Sequence, residues 1–183
     1  QVTESVVPSL DVADAITRRL PLLKSLAGTN IQVKIDVLTD AGKVALPESA
    51  FERILQNLVS NAIEAMPDGG CLRVALQRES RGESQGRDDK RRVSRGPARS
   101  TCKSSVPKTL LLRVSDTGNG IAPEHVAHIF DAGVSGKTTG KNSGQHGFGL
   151  AIVRELTQSA GGTVRVRSHP GQGSCFEVEL PQI

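Results

Sequence analysis

The sequence of 183 residues has no tryptophan, no tyrosine and only four phenylalanines. Its core must therefore use leucine, isoleucine, valine and alanine, which is ordinary for helices layered on a sheet. No apolar run approaches the roughly 18 residues that a membrane helix needs, and no signal sequence opens the chain. We expect a cytoplasmic segment without membrane contact. Because the chain starts at Gln1, not Met, it is expected to be a fragment, and any membrane anchor would lie outside it.

Cysteine is scarce as well. Cys71, Cys102 and Cys175 are an odd number and lie far apart in the sequence. This argues against a disulfide framework, and no CxxC pair suggests a zinc site. A reducing compartment is the natural setting.

Basic charge is concentrated in one segment. Residues 78–108 hold ten lysines and arginines against four acidic residues, a balance of +6. The rest of the chain holds thirteen against fifteen, a balance of −2. The net charge of +4 therefore does not describe a basic domain, and we do not expect nucleic acid as a partner.

Hydrophobic periodicity predicts an α+β fold. Helical spacing covers residues 11–26, a stretch that starts at Pro47, the short stretch 123–130, and residues 150–160. Alternating apolar residues predict strands at 31–37, 71–77, 110–114, 163–168 and 175–180. Helices mixed with mostly hairpin-connected strands favour a two-layer α/β sandwich over a doubly wound parallel sheet. Residues 1–183 are expected to form a single domain.

Two segments interrupt this pattern. Residues 79–107 are rich in arginine, serine and glycine and show no periodicity, which predicts a disordered basic insertion in the loop of a β-hairpin. Residues 131–149 contain six glycines and no apolar periodicity. They are expected to form a loop that ends directly at a helix.

Four short motifs follow one another along the chain. They are NLVSNA at 57–62, DTGNGI at 116–121, GQHGFGL at 144–150 and GQGSCF at 171–176. Each is weak alone, but their order and spacing make the set specific. It resembles the catalytic and ATP-binding domain of sensor histidine kinases, in the GHKL-type ATPase superfamily, over residues 5–181 apart from the insertion. The resemblance implies the Bergerat fold, with a mixed, mostly antiparallel sheet, and ATP and Mg²⁺ as cofactors.

Asn57 and Asn61 are four residues apart and therefore share a helix face, with Glu64 nearby. An amide oxygen is a hard, neutral ligand that suits Mg²⁺, which takes its other ligands from water and phosphate. The alternative is a solvated helix face. The resemblance assigns the metal ligand to Asn61 and phosphate contact to Asn57, and it makes both residues catalytic.

Asp116 follows an apolar strand and either caps the turn after it or reads a nucleotide base. A buried acceptor would take a hydrogen bond from the adenine amino group and reject guanine, which has an oxygen there. Gly118 and Gly120 would let the backbone approach the ring. The resemblance makes Asp116 the main base-reading residue. Ser174 would then support Asp116, although a serine that caps a strand is the alternative.

The stretch 131–149 resembles the family's ATP lid. Free backbone N–H groups at a helix start favour phosphate, and Gly147-Phe148-Gly149 opens such a helix. Lys137 either reaches a terminal phosphate as a catalytic residue or is an exposed loop charge. The remaining nucleotide contacts implied by the resemblance are at Gly118, Gly120, Ile121, Gly147, Phe148, Gly149, Leu150 and Ser174.

The residue one turn before Asn61 separates transfer from hydrolysis. Related ATPases that hydrolyse their nucleotide carry a glutamate there, which orients water, whereas Asn57 cannot act as a general base. The acceptor is therefore expected to come from elsewhere. None of the four histidines follows the acceptor pattern of a histidine kinase; they are His125, His128, His146 and His169.

The resemblance therefore implies the catalytic part of a two-component sensor kinase. Its partners would be a His-bearing dimerisation domain of the same full-length protein and a response regulator receiver domain. The isolated domain is expected to be monomeric and inactive alone, and the full protein homodimeric. The alternatives are a serine-directed anti-sigma kinase and a nucleotide-binding regulator without turnover.

Overall fold

The computed structural model describes residues 8–80, 108–133 and 148–183. Lys137 and Gly147 lie outside the described residues. The elements in chain order are β1 (Leu10–Asp11), α1 (Val12–Ala27), β2 (Ile31–Val37), β3 (Lys43–Val44), α2 (Glu48–Glu64), β4 (Gly70–Ser80), β5 (Lys108–Ser115), α3 (Pro123–Val126), α4 (Gly149–Ser159), β6 (Thr163–Ser168) and β7 (Ser174–Pro181).

Five strands form one sheet in the order β2-β4-β5-β7-β6. The β2–β4 pair is parallel and the other three pairs are antiparallel. Helices α1, α2 and α4 contact the sheet and enclose the apolar core with it. The predicted two-layer α+β sandwich with a mixed, mostly antiparallel sheet is confirmed.

Local sequence explains where α1 begins and ends. Asp11 accepts a hydrogen bond from the backbone N–H of Asp14 at 3.1 Å, which satisfies a free donor of the first turn. Gly28 ends the helix with φ 67°, a conformation that favours glycine. Pro21 lies inside the helix, which continues past it to Ala27.

Helix α2 carries the broad apolar stripe that its sequence predicts. Its buried residues are Ala50, Phe51, Ile54, Leu55, Leu58, Val59 and Ala62. Pro47 immediately precedes the helix, and the helix ends at Glu64. The stripe anchors α2 on the sheet and leaves Asn57 and Asn61 only partly buried.

The β4–β5 hairpin is longer than predicted. Its register runs from Arg73 opposite Ser115 to Ser80 opposite Lys108. Glu79 therefore belongs to the strand and not to the insertion, because its backbone pairs with Thr109 despite its exposed, charged side chain. Residues 81–107 lie outside the described residues, so their disorder stays a prediction.

Helix α3 is shorter than predicted. It covers one turn, Pro123–Val126, and turns occupy residues 127–130. Within the described ranges, no helix has the length and hydropathy to cross a membrane.

Candidate functional site

The loop after β5 lies between the end of α2 and the turn that joins β6 to β7. The N–H of Asn119 donates to the carbonyl of Ala65 at 3.0 Å, and its own carbonyl accepts from Gly171 at 2.7 Å. The loop that begins with Asp116 is therefore held on both sides by backbone hydrogen bonds.

Asp116 is the buried carboxylate of this loop, with 6% of its surface exposed. Its Oδ1 accepts from the backbone N–H of Gly118 at 2.9 Å and of Ser174 at 3.2 Å. Among the described residues, Oδ2 takes no hydrogen bond. Burial raises the pKa of Asp116, and the two backbone hydrogen bonds oppose this shift without cancelling it. The turn-capping role is therefore present, and a second carboxylate oxygen is left for another donor.

Three glycines around Asp116 allow backbone segments to approach each other closely. A Cβ at Gly118 would meet the carbonyl oxygen of Ala65 at 2.2 Å. At Gly120 and Gly173 it would lie 2.0 Å from the carbonyl oxygens of His169 and Asp116, respectively. These contacts require glycine for packing within the protein, and backbone approach to a base stays a prediction.

Ser168 is a residue that motif analysis missed. Its hydroxyl oxygen accepts from the N–H of Ile121 at 2.8 Å and lies 2.9 Å from the carbonyl oxygen of Gly173. It also lies 3.1 Å from the hydroxyl of Ser174. The only sequence signal was its position at the end of a strand, just before the fourth motif.

Ser174 is 7% exposed. Its backbone exchanges two hydrogen bonds with Asp116, through the N–H of Ser174 to Oδ1 and the N–H of Asp116 to the carbonyl of Ser174 at 2.9 Å. The predicted support of Asp116 is thus made by the backbone of Ser174. Its hydroxyl instead contacts Ser168.

The two asparagines of α2 differ in their contacts. The side-chain N–H of Asn57 donates to the carbonyl of Arg53 at 2.8 Å. A Cβ at Gly149 would lie 2.9 Å from Oδ1 of Asn57, so this amide oxygen lies beside the start of α4. The Nδ2 of Asn61 is buried and has no hydrogen-bond partner among the described residues.

The start of α4 carries the described part of the third motif. Phe148 is 53% exposed, and Leu150 packs against the core as a partly buried residue. Its N-cap position, Phe148, makes no side-chain capping hydrogen bond. Among the described residues, the N-cap residue therefore leaves the first-turn N–H groups of this 11-residue helix uncapped, and such groups suit an anion.

Asp131 begins the 131–149 segment and contacts α4, the helix at which this segment ends. It contacts Arg154 of α4 at 3.1 Å and Nδ1 of His128 at 3.1 Å. Hydrogen bonds from His128 and Arg154 hold the pKa of Asp131 below its ordinary value. The segment therefore begins at a residue that is paired with α4 and ends at the first residue of α4.

The chemistry of these residues fits a metal that arrives with phosphate. Within the described residues, no group of three or more His, Cys, Asp or Glu could hold a metal. Mg²⁺ commonly takes one or two protein ligands and fills its octahedron with water and phosphate oxygens. The amide oxygen of Asn61, on the partly buried face of α2, is a ligand of the kind that suits this arrangement.

Residues 47–183 match the model of the histidine kinase-, DNA gyrase B-, and HSP90-like ATPase family. The chain belongs to this family. ATP binding follows from this membership and agrees with the prediction.

Curated relatives narrow the identification. CckA, a sensor kinase of Brucella abortus, is 29% identical over 176 residues, which cover 95% of this chain and 17% of the relative. SenX3, a sensor-like histidine kinase of Mycobacterium tuberculosis, is 32% identical over 176 residues, or 94% of this chain and 35% of the relative. The chain thus spans about a third or less of these relatives.

Solved structures share the fold. The mycobacterial sensor histidine kinase MprB has a TM-score of 0.69 at 22% identity, with 95% of this chain and 97% of that chain covered. Full-length ShkA in complex with AMPPNP has a TM-score of 0.62 at 24% identity, with 96% and 31% covered. Together with the family match, these findings identify a GHKL catalytic and ATP-binding domain of the sensor histidine kinase type, as the motifs predicted.

Proposed function

We propose that this domain binds Mg-ATP and transfers the γ-phosphoryl group to a histidine on a separate dimerisation domain. The observation that carries the proposal is the buried Asp116 carboxylate, which keeps one oxygen without a hydrogen bond among the described residues. Such an acceptor suits the amino group of adenine. The full protein would then be a homodimeric sensor kinase that serves a response regulator receiver domain.

The described half of the site supports a division of labour. Asp116 would bind the base. Backbone hydrogen bonds on both sides of its loop would hold it in position for this. Asn57 and the first N–H groups of α4 lie together, which suits phosphate oxygens. Lys137 would add a positive charge at the terminal phosphate.

Asn61 would hold the metal through its amide oxygen. The ion, when bound, would neutralise charge on the phosphate oxygens and help to orient them for transfer. The chain's own residues then fix the nucleotide in position. The solved structure of ShkA with AMPPNP, an analogue of ATP, supports nucleotide binding on this fold.

Asn57 favours transfer over hydrolysis. Its amide nitrogen already donates to Arg53, and an amide cannot remove a proton from water. The reaction would therefore wait for an external nucleophile that is brought into line with the γ-phosphate.

Reconstitution tests the proposal. The isolated chain with Mg-ATP should form almost no phosphoprotein, and adding the cognate His-bearing dimerisation domain should restore phosphorylation. The product should be acid-labile and base-stable, as a phosphoramidate is. An acid-stable phosphoserine on the partner would instead favour the serine-directed anti-sigma kinase, and fast hydrolysis without a partner would favour an ATPase.

Asn61→Ala provides the matched site variant. It should abolish transfer and weaken Mg²⁺-dependent nucleotide binding, because the amide oxygen is lost. Asn30→Ala is the control, since Asn30 is an exposed amide in the turn before β2. Full transfer by the Asn61→Ala protein would remove Asn61 from the metal site.

A further inference from the structure

The hydroxyl of Ser168 has its full set of hydrogen-bond partners. A serine hydroxyl has one proton to donate and two lone pairs that accept. The N–H of Ile121 can only donate, so it occupies one lone pair at 2.8 Å. The carbonyl of Gly173 can only accept, so the single proton of Ser168 goes to it at 2.9 Å.

This assignment decides the direction of the contact between the two serines. Their hydroxyl oxygens are 3.1 Å apart, and in isolation either could be the donor. Because the proton of Ser168 is committed to Gly173, Ser174 must donate to the remaining lone pair of Ser168. The hydroxyl of Ser174 then has no proton left for a ligand and can only accept.

In the proposed complex, in which Ser174 contacts the base beside Asp116, the site combines two acceptors. The N–H of Ser174 donates to Oδ1 of Asp116 at 3.2 Å, so the carboxylate and the serine belong to one local structure. Both residues are more than nine-tenths buried, where an unmatched polar group is costly. A ligand group that carries two hydrogens satisfies two acceptors, whereas a carbonyl oxygen satisfies neither.

We propose that Ser168 is a positioning residue that fixes the hydroxyl of Ser174 as an acceptor and thereby sharpens selection of a 6-amino purine over a 6-oxo purine. The inference rests on the proposed binding of ATP at Asp116. Ser168 lies outside the four motifs and would act on the base only through Ser174.

The test compares the binding of Mg-ATP and Mg-ITP by calorimetry. ITP carries a carbonyl where ATP carries the 6-amino group. Wild type should prefer ATP, and Ser168→Ala should reduce the ratio of the two affinities by about tenfold, the effect of one hydrogen bond. The freed hydroxyl of Ser174 can then rotate and donate to the carbonyl of ITP. Ser168→Thr keeps a hydroxyl and should keep most of the wild-type ratio.

The control is Ser115→Ala. Ser115 also ends a strand, but its hydroxyl contacts Cys175 at 3.2 Å. This variant should leave the ratio unchanged. Thermal unfolding of each variant, followed by circular dichroism, verifies that the proteins compared are folded.

A second pair of variants distinguishes reorientation of the Ser174 hydroxyl from a general loosening of the loop. In a Ser174→Ala background, Ser168→Ala should no longer change the ATP-to-ITP ratio, because no hydroxyl remains to be reoriented. Equal weakening of both nucleotides by Ser168→Ala alone would overturn the inference and leave ATP binding intact. Wild type that does not bind ATP, or binds ITP equally well, would overturn the proposed use of Asp116 and this inference with it.

Discussion

At the scale of single residues, Asp116 has one task that the structure shows, which is to organise its loop, and one that we propose, which is to read the base. Its carboxylate organises the loop through Gly118 and Ser174, and it is buried at a cost. The raised pKa expresses that cost, since burial disfavours the ionised form. A base-reading carboxylate would therefore be retained for binding at the expense of stability of the free protein.

Asp116→Asn should separate these two tasks. The amide oxygen can still accept from Gly118 and Ser174, but its nitrogen faces the adenine amino group as a second donor. ATP affinity should fall about ten- to hundredfold, as expected for one charged hydrogen bond, measured by calorimetry. Asp36→Asn is the control, because Asp36 is an exposed aspartate paired with Arg73.

The same variant has a pH signature in the nucleotide-free protein. Because folding raises the pKa of Asp116, its protonation stabilises the native state in acid, and this contribution is lost as pH rises through the folded pKa. Relative to wild type, Asp116→Asn should thus gain stability from acid to neutral pH in thermal unfolding. A variant that instead loses stability toward neutral pH would show that the ionised carboxylate stabilises the fold.

Sequence patterns singled out residues that the structure brings together around Asp116, but not the reason for each of them. Asp116 was recognisable because it directly follows an apolar strand. The glycines were expected to admit a base, yet Gly118 and Gly120 make room for the carbonyls of Ala65 and His169. Those partners come from distant parts of the chain, and a motif contains no information about them.

At the scale of elements, periodicity predicted α1, α2 and α4 because each has one continuous apolar face. The register of the parallel pair β2–β4 could not be predicted, since a long connection that contains α2 joins the two strands and no turn fixes their alignment. The last residues of β4 were missed for a different reason. Arg78 and Glu79 are charged and exposed, so apolar alternation stops before the hydrogen bonds do.

The sheet face opposite the helices carries a cross-strand charge cluster centred on Glu177. Arg113 donates to Glu177 at 2.9 Å, and Arg167 donates to both of its oxygens at 3.0 and 2.8 Å. Burial raises the pKa of Glu177, but the hydrogen bonds and charges of the two arginines outweigh it and leave the pKa below its ordinary value. The cluster therefore connects β5, β7 and β6 through their side chains.

Glu177→Gln should lower the free energy of unfolding at neutral pH by about 1 kcal/mol, a value reduced for the exposure of Arg167. Because folding lowers the pKa of Glu177, its contribution is present above the unfolded-state pKa and lost as pH falls through the folded value. Urea unfolding should show the variant and wild type converging in acid. Glu79→Gln, which removes a longer 3.7 Å contact to the same Arg113, should have little effect at any pH.

At the scale of the whole molecule, the described residues account for both layers and all five strands of the main sheet. The paired positions Ser80 and Lys108 end the β4–β5 ladder on either side of the basic segment 81–107. The fold is therefore complete on both sides of that segment. The segment is also the source of the net positive charge. Any electrostatic attraction of an acidic partner would therefore come mainly from this segment.

Deletion of residues 82–105 should consequently leave the midpoint of thermal unfolding and ATP affinity nearly unchanged. The deletion leaves a loop of three residues between Ser80 and Lys108, a length that antiparallel hairpins accommodate. It removes seven basic and three acidic residues and brings the net charge from +4 to zero, so both proteins must be compared at equal, moderate salt to avoid precipitation.

A second variant, with Asn-Gly in place of residues 81–107, guards against a poorly formed turn. A large loss of thermal stability in both variants would show that the segment packs against the domain. If stability is kept and association with an acidic partner becomes slower and less sensitive to salt, the segment acts through its charge.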